Sequence, residues 1–553
     1  MLTYSAQASQ LAKPTEKPWV LLLLCFIWLW PGVLGHDPWK PDEPYVLAVV
    51  QGMLNSGNWL LPTLQGAPYL DNPPLYYWLA AGCVKLFSPW LLPAHDAARL
   101  STPLLMALAL LLAGMAGRDL IGRRHGRSVV MILIGCLGLV ESGHQLTPVI
   151  VSFTGFAAAF YALSLTLRSP GLAGALLGAA SVATFLGGSL TDLMLIWLTA
   201  LMLPAFSAWR CKNYALTLLL ALMVALPAIL VWPMLLLREY PTVFADWWAN
   251  YCLGQTSGFK HIRMFHDFGY YTVNVLWFAF PAWPLSLWTL YRQRQPLAPK
   301  LQLPLLFALM IALLLTLSDR ASITDAMPLL LPLSILAAVE LDTLRRGAAA
   351  FLNWFALMTF GLFGLLVWLG WAAMNYGWPA GLAGRAQYFS PFYQPHVSWW
   401  HAVGALVATL VWLWALTRPH LRGRQAITNW AAGLTLLWGL GMTLWLPWFD
   451  AAKSYRPVVQ SMLRKLPAGG VSCVATESHN RLALISWRYY AGMDLLPFPA
   501  GETAPCDYWL VVRDRQQGMA EPGWQVLWTG HRPREENMTF ALLQRLPAAE
   551  PPK

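Results

Sequence analysis

Apolar residues run in long blocks from Trp19 to Trp445, broken by short polar turns. Many of the blocks reach roughly 17–25 residues, the length an α-helix needs to cross a bilayer's hydrocarbon. We read spans at 19–35, 99–117, 128–140, 149–167, 171–187, 193–208, 214–238, 270–290, 301–317, 327–343, 349–373, 399–417 and 428–446. A further apolar segment, 73–92, begins "NPPLYYW". Its prolines and interfacial aromatics predict a segment lying at, or dipping into, the membrane face without crossing. The short alternating segments of a membrane β-barrel are absent from the pattern.

Basic clusters orient the spans. Arg118/Arg123/Arg124/Arg127, Arg210/Lys212, Arg292/Arg294/Lys300, Arg345/Arg346 and Arg418/Arg422/Arg424 mark the cytoplasmic turns, with an even number of crossings between successive clusters. Lys13 and Lys17 hold the start of an uncleaved first span on the same side. The prediction is thirteen crossings, a cytoplasmic N-terminus, and a non-cytoplasmic first loop (36–98) and C-terminal segment (447–553).

After Trp445 the periodicity changes. "FDAAKSYRPVVQSMLRKL" reads as amphipathic helix, and "GGVSCVAT" and "DYWLVVR" read as short buried strands. We therefore expect an all-α polytopic membrane domain, 1–446, followed by a small α/β domain, 447–553. Cys473 and Cys506 are the two cysteines of that domain, and in an oxidising compartment they are candidates to pair.

Composition agrees with this reading. The 553 residues are 57% hydrophobic and only 11% charged, where a soluble protein carries about 25% charged residues. The net charge of +11 belongs mostly to the membrane part: residues 1–446 hold 25 Lys and Arg against 16 Asp and Glu. That excess suits loops facing an anionic leaflet rather than nucleic acid. A transporter would place ionisable groups at mid-membrane and often show repeated halves. Here the acidic groups fall in outer loops, where some should converge on a polar cavity.

The first outer loop concentrates chemistry: "DPWKPDEPYVLAVVQGMLNSGNWLLPTLQGAPYLDNPPLYYWLAA". An acidic pair opens a helix, "SGNWLLP" and "GAPYL" follow, and a proline pair leads into aromatics. Over about 45 residues this stretch resembles the bacterial lipid-carrier glycosyltransferases of the GT-C class. Within them it is most similar to the aminoarabinose lipid A transferases and their protein O-mannosyltransferase-like relatives. "GRRHG", "HDFGYY" and "FDAAKSYRP" extend a looser resemblance along the chain.

The resemblance implies an enzyme of the bacterial inner membrane with a periplasmic C-terminal domain. It would move a sugar, commonly an amino sugar, from undecaprenyl phosphate to lipid A or another periplasmic-face acceptor, with inversion. Asp42 matches the leading acidic residue, with Glu43 as second choice; helix capping by Asp42 is the competing reading. Tyr69 and Asn72 join Lys260, Arg263 and Arg320 as candidates to bind carrier phosphate or substrate. Asp71 with His266, and His261 behind it, are candidate ligands for a divalent metal.

Three positions depart from the family pattern. Asn72 stands where a lysine is usual, "HQLTPV" lacks the usual acidic residue, and "LGGSLTD" lacks the usual lysine. Glu141 and His144 are the nearest polar substitutes for the missing acid. A protein O-mannosyltransferase-like enzyme therefore stays open, as does a relative that binds polyprenyl phosphate without turnover.

Overall fold

The computed structural model describes residues 18–254, 268–293, 298–317, 321–416, 422–467, 471, 473–514, 518, 521–535 and 537–546. The chain is a mostly helical, multi-span membrane protein carrying a C-terminal mixed β-sheet domain. Each of the thirteen predicted spans falls on an apolar helix or pair of helices. Among the described residues five helices are long and apolar enough to cross alone, or seven if each of two bent pairs is one span.

The bends correct the sequence reading. The span expected at 270–290 is two helices, Phe268–Phe278 and Ala282–Arg292, meeting at 92°. Pro281 sits at the break, where it offers no backbone N–H to continue the helical ladder. The last span, Arg422–Leu444, gives way to Leu446–Lys453 at 69°. The stretch expected at 128–140 is likewise split into His125–Ile134 and Leu137–Ser142.

Packing in the membrane domain follows side-chain size. Helix Pro170–Gly187 lies between Val149–Leu165 and Lys212–Glu239. A Cβ on Gly174 would stand 2.6 Å from Leu220, and one on Gly178 would stand 2.7 Å from Val224. Glycines four apart thus let two backbones close to a distance that side chains would forbid, a common device where lipid supplies no hydrophobic drive. The other side of Lys212–Glu239 exposes Leu219, Met223, Val231 and Met234, as a lipid-facing helix must.

The first outer loop builds a platform over the spans. Glu43–Ser56 is a helix, Thr63–Leu64 pairs antiparallel with Ala67–Pro68, and Leu75–Phe87 is a second helix. Val46, Val49, Val50 and Met53 of the first helix pack against Tyr76, Tyr77 and Ala80 of the second. Leu75–Phe87 has 13 residues, about 20 Å.

Among its described residues the C-terminal domain has five strands in the order Leu496–Phe498, Val474–Glu477, Tyr508–Arg513, Thr539–Arg545, Trp524–Gly530. The first three are parallel and the last two antiparallel. Strand alternation separates two cores. Leu510, Phe540 and Leu542 pack beneath helices Arg456–Leu463 and Arg481–Ala491, while Trp509, Val511, Ala541 and Leu543 form the other face. Cys473 and Cys506 are joined, with Cα atoms 5.5 Å apart and 33 positions of chain between them.

Closing a loop of that length restrains the unfolded chain by about 3–4 kcal/mol. The double variant Cys473→Ser/Cys506→Ser should therefore cut faster within 447–553 under limited proteolysis, with the membrane domain unchanged. Equal cleavage rates would remove the disulfide from the domain's stability.

Candidate functional site

The site grows from a turn, residues 36–43, at the mouth of the first span. Arg99 lies under it with no exposed surface. Its Nε donates to Glu43 Oε1 and its Nη2 to Glu43 Oε2, both at 3.1 Å, and its Nη1 donates to Asp96 Oδ1 at 2.9 Å. Nη1 also donates to the Val33 carbonyl at 3.0 Å. Glu43 completes the arrangement by accepting the backbone N–H of Trp39 (2.9 Å) and of Leu146 (3.0 Å). Burial alone would push Glu43 upward, but Arg99 and these bonds outweigh it and hold the carboxyl below its ordinary range. Both Glu43 oxygens are thus occupied, which corrects its reading as an alternative catalytic acid: it positions the turn.

Asp42, the preceding residue, is placed differently. It occupies the N-cap position of Glu43–Ser56, yet its side chain makes no capping bond. The capping reading therefore fails. Its carboxylate accepts instead from Thr147 Oγ1 at 3.1 Å and remains half-buried. Burial raises its pKa above the usual aspartate value; Thr147 opposes the shift, and the neighbouring Glu43 and Asp71 carboxylates add to it. Asp71 is exposed. The Tyr69 hydroxyl interacts with it, and burial, then the Asp71 charge, lifts that phenol above its ordinary value. Asn72 is half-buried beside Tyr77. Asp42, Tyr69, Asp71 and Asn72 are therefore brought to one corner of the platform.

Other expected residues do not join them. Lys260, Arg263, His266, His261 and Arg320 lie outside the described residues. His144 is a packing residue: its ring bridges the carbonyls of Val140 and Trp28, at 2.6 Å each, between the Trp28 and Trp438 rings. Glu141 is exposed, within 3.4 Å of the Gln145 amide. The second outer loop still reaches the site, through the Thr147 hydroxyl and the Leu146 N–H. Among the described residues no three His, Cys, Asp or Glu side chains form a metal-ligand set. Asp42 and Asp71 alone would leave a divalent ion short of protein donors.

The charged turn also ties two domains together. Asp37 is 4% exposed. It accepts from both arms of Arg456, at 2.8 Å from Nε, and from Ser454 Oγ at 2.6 Å. Lys40 donates to Glu535 at 2.8 Å, His95 meets the Tyr489 hydroxyl at 2.6 Å, and Arg488 donates to Gln65 at 2.9 Å. Asp450 accepts the Asp37 N–H and the Trp39 indole N–H, each at 2.9 Å. A cavity of about 340 Å³ opens at this junction, between Pro44, Gln51 and Asn55 of the platform helix and Tyr489 and Tyr490 of the C-terminal domain. Neither Asp42 nor any other described carboxylate lines it, so the expected convergence of carboxylates on a cavity is not seen here.

Sequence reading missed Arg99, Asp96 and Arg456. The signal for the first two was present: "HDAAR" puts Asp96 and Arg99 one helical turn apart at the threshold of an apolar span, where charge is expensive unless paired. Nothing in the sequence announces that Asp37 reaches a partner more than four hundred residues away.

Two outcomes follow. Arg99→Met strands two buried carboxylates and should destabilise the protein by about 3–5 kcal/mol, seen as a lower thermal midpoint in detergent. Glu43→Gln in the same chain should restore part of it, and an unaltered midpoint in Arg99→Met would refute the assignment. Burial, then repulsion from Asp37, raises Asp450 to a pKa of about 6 in the folded chain. Against an ordinary value of about 3.9, its protonated form favours folding; that contribution is complete below about pH 4 and lost as pH rises through 6. Asp450→Asn keeps an acceptor oxygen, so it should flatten the dependence of thermal midpoint on pH between those values.

No protein-family model matches the chain. Among curated proteins, the undecaprenyl phosphate-alpha-4-amino-4-deoxy-L-arabinose arabinosyl transferase of Pseudomonas savastanoi pv. phaseolicola is 27% identical over 430 residues, 74% of each chain. The Pseudomonas aeruginosa (strain UCBPP-PA14) protein of the same name is 30% identical over 375 residues, 63% of this chain and 64% of that one. Among solved structures, ArnT from Cupriavidus metallidurans bound to undecaprenyl phosphate superposes with a TM-score of 0.64 at 15% identity, covering 95% of this chain and 97% of that one. Its apo state gives 0.63 at 16% identity. This likeness shows that the fold is shared.

Proposed function

We infer that this chain, an ArnT-like GT-C glycosyltransferase, transfers 4-amino-4-deoxy-L-arabinose from undecaprenyl phosphate to lipid A at the outer face of the bacterial inner membrane. The names of the curated relatives supply the donor. The observation that carries the reading to this chain is Asp42: a carboxylate released from capping, aimed by Thr147, beside Tyr69 and Asp71, on a turn fixed by Glu43 and Arg99. In keeping with the basic turns, the N-terminus is cytoplasmic, the chain crosses thirteen times, and the C-terminal domain is periplasmic.

An oxygen of the lipid A phosphate attacks the anomeric carbon of the sugar. The bond from that carbon to the carrier phosphate breaks, and undecaprenyl phosphate leaves with the electron pair, so the configuration inverts. The acceptor is already anionic and needs no base. Asp42 acts by stabilising positive charge developing on the sugar ring, and fixed charges of this kind are among the largest contributors to catalysis. The Thr147 hydroxyl holds the carboxylate in place, a positioning effect. Lys260, Arg263 and Arg320 are the cations we assign to the carrier phosphate, in place of the lysine that Asn72 replaces; Tyr69 and Asn72 line the approach. Asp71 and His266 would hold a divalent metal if one binds, which would add positive charge near the carrier phosphate.

Mass spectrometry of lipid A tests the reading. Cells lacking the gene should lose an added amino-pentose mass, wild-type chain should restore it, and Asp42→Asn should lower transfer by about 100-fold or more at equal membrane abundance. Because Asp42 holds its proton to a higher pH than an ordinary aspartate, in vitro transfer should fall away on acidification above about pH 4. Full lipid A modification by Asp42→Asn would reject Asp42 and favour a binding-only relative.

A further inference from the structure

The cavity at the domain junction lies beside the Asp42 corner and outside it. Its floor is one face of helix Glu43–Ser56. Val46, Val49, Val50 and Met53 turn to the second platform helix, while Ala48, Gln51 and Asn55 turn the other way, to the cavity. From Pro44 to Asn55 this floor runs about 16 Å along the helix axis, starting two residues beyond Asp42. The facing wall is helix Arg481–Ala491 of the C-terminal domain, through Arg488, Tyr489 and Tyr490. The tip of the hairpin formed by Thr63–Leu64 and Ala67–Pro68 lines a third side. Both residues of that tip are left-handed, Gln65 at φ 53° and Gly66 at φ 82°, where Asn-Gly is the usual choice. Gln65 uses its longer side chain to cross to the other wall. Its Oε1 accepts from Arg488 Nη1 at 2.9 Å, and its Nε2 donates to the Leu484 carbonyl at 3.4 Å. Backbone held in a sparsely populated conformation by such a contact is a feature of ligand clamps. The same hairpin leads into Tyr69, so one short element touches both the cavity and the Asp42 corner.

The lining selects its guest. It holds no described carboxylate or lysine, so a cationic guest finds no counter-charge. No described residue hydrogen-bonds to the side-chain amide of Gln51 or Asn55, and each amide carries two donors and an acceptor. A hydrocarbon chain would strip water from those amides and leave them unpaired, which is costly. Beside them Tyr455, Tyr489 and Tyr490 supply flat apolar surface. The rings of Tyr489 and Tyr490 meet edge to face at 5.0 Å, and the Arg456 guanidinium stands 5.1 Å from the Tyr490 centroid. A pyranose has the complementary surface: C–H faces that lie on aromatic rings, and a rim of hydroxyls that amides can meet as donor or acceptor. Arg488 keeps N–H donors beyond those facing Gln65 and Asp494, and these suit a hydroxyl or phosphate on the sugar.

We propose that this cavity is a saccharide subsite, in which Gln51, Asn55 and the tyrosine rings hold the sugar headgroup of the glycolipid acceptor while its phosphate reacts at Asp42. The identity of the acceptor rests on the transfer reading above; the preference for a sugar rests on the lining residues alone. At about 340 Å³ the cavity falls in the range of small-molecule sites, roughly 300–1,000 Å³. The donor's amino sugar is the wrong guest: its positive charge would face Arg488 with no carboxylate to offset it. The acceptor's phosphates meet no such penalty. Contacts made here, away from the reacting atoms, fix the direction from which the acceptor approaches. Gln51 and Asn55 are then positioning residues, and the subsite exists only while the C-terminal domain is seated on the platform.

The test uses the full chain in an uncharged detergent, with deacylated lipid A, the phosphorylated sugar headgroup without its acyl chains, as the probe. Saturation-transfer NMR should show the sugar protons in contact with the wild-type chain. Gln51→Ala/Asn55→Ala removes both amides at positions where alanine suits a helix, and should weaken headgroup binding about tenfold or more at an unchanged thermal midpoint. Asn55 is exposed, so Asn55→Ala alone serves if the double variant does not fold. In vitro, the double variant should raise KM for lipid A by a similar factor and leave kcat and the donor KM in place. Inorganic phosphate that displaces the headgroup at equal concentration makes the cavity an anion site and overturns the saccharide assignment. Headgroup binding that is absent from the wild-type chain, or equal in wild type and both variants, overturns it as well. Headgroup binding that depends on Gln51 and Asn55, in a chain that transfers nothing to lipid A, supports the subsite and rejects only the transfer reading.

Discussion

The ion pair between Arg99 and Glu43 is the constraint on which the outer face of this molecule rests. Neither group reaches water, and removing both from solvent is costly unless every donor and acceptor is met. Here they are met by Asp96, by the backbone of the 33–39 turn, and by Leu146 from the second outer loop. One side chain at a span threshold therefore fixes three segments that sequence places far apart. A hydrophobic replacement of the pair could be as stable, but it would not specify where the turn sits. That geometry is what places Asp42, one residue before Glu43, against Thr147.

Asp42 and Glu43 show how adjacent carboxylates acquire opposite character from their surroundings. Glu43 has a guanidinium and two backbone donors, so its charge is favoured. At Asp42 burial, and then two carboxylate neighbours, outweigh a single hydroxyl donor, so its charge is disfavoured. Glu43, paired, holds the structure; in the function we propose, Asp42 is the one that acts on a developing cation. Such a division of labour is a recurring mark of sites where charge does chemistry.

Much of the fold was legible because lipid imposes so simple a rule on sequence. Long apolar blocks, arginine clusters at one end, and the strands at Val474–Glu477 and Tyr508–Arg513 could all be read directly. What could not be read were events that a hydropathy pattern does not encode. The 92° bend falls at Pro281, yet Pro227 and Pro233 sit inside the unbroken helix Lys212–Glu239, so a proline in an apolar block does not by itself announce a break. The hairpin of Trp524–Gly530 and Thr539–Arg545 lacks a short turn that would mark it. At the site, Asp42 stood out by its neighbours in sequence, but Thr147, Arg99 and Arg456 matter only through tertiary contact. The same limit explains Asp37, an aspartate in a polar loop that folding buries against the far end of the chain.

The polar ties between the first outer loop and the tail have a consequence for how such proteins can diverge. Lys40 with Glu535, Asp37 with Arg456, Trp39 with Asp450, Gln65 with Arg488 and His95 with Tyr489 each need a match on both sides. A change on one side strands its mate unless the other changes too. Loop and tail are therefore bound to drift as a single inherited unit, and a chimera that exchanges one without the other joins two halves of different locks.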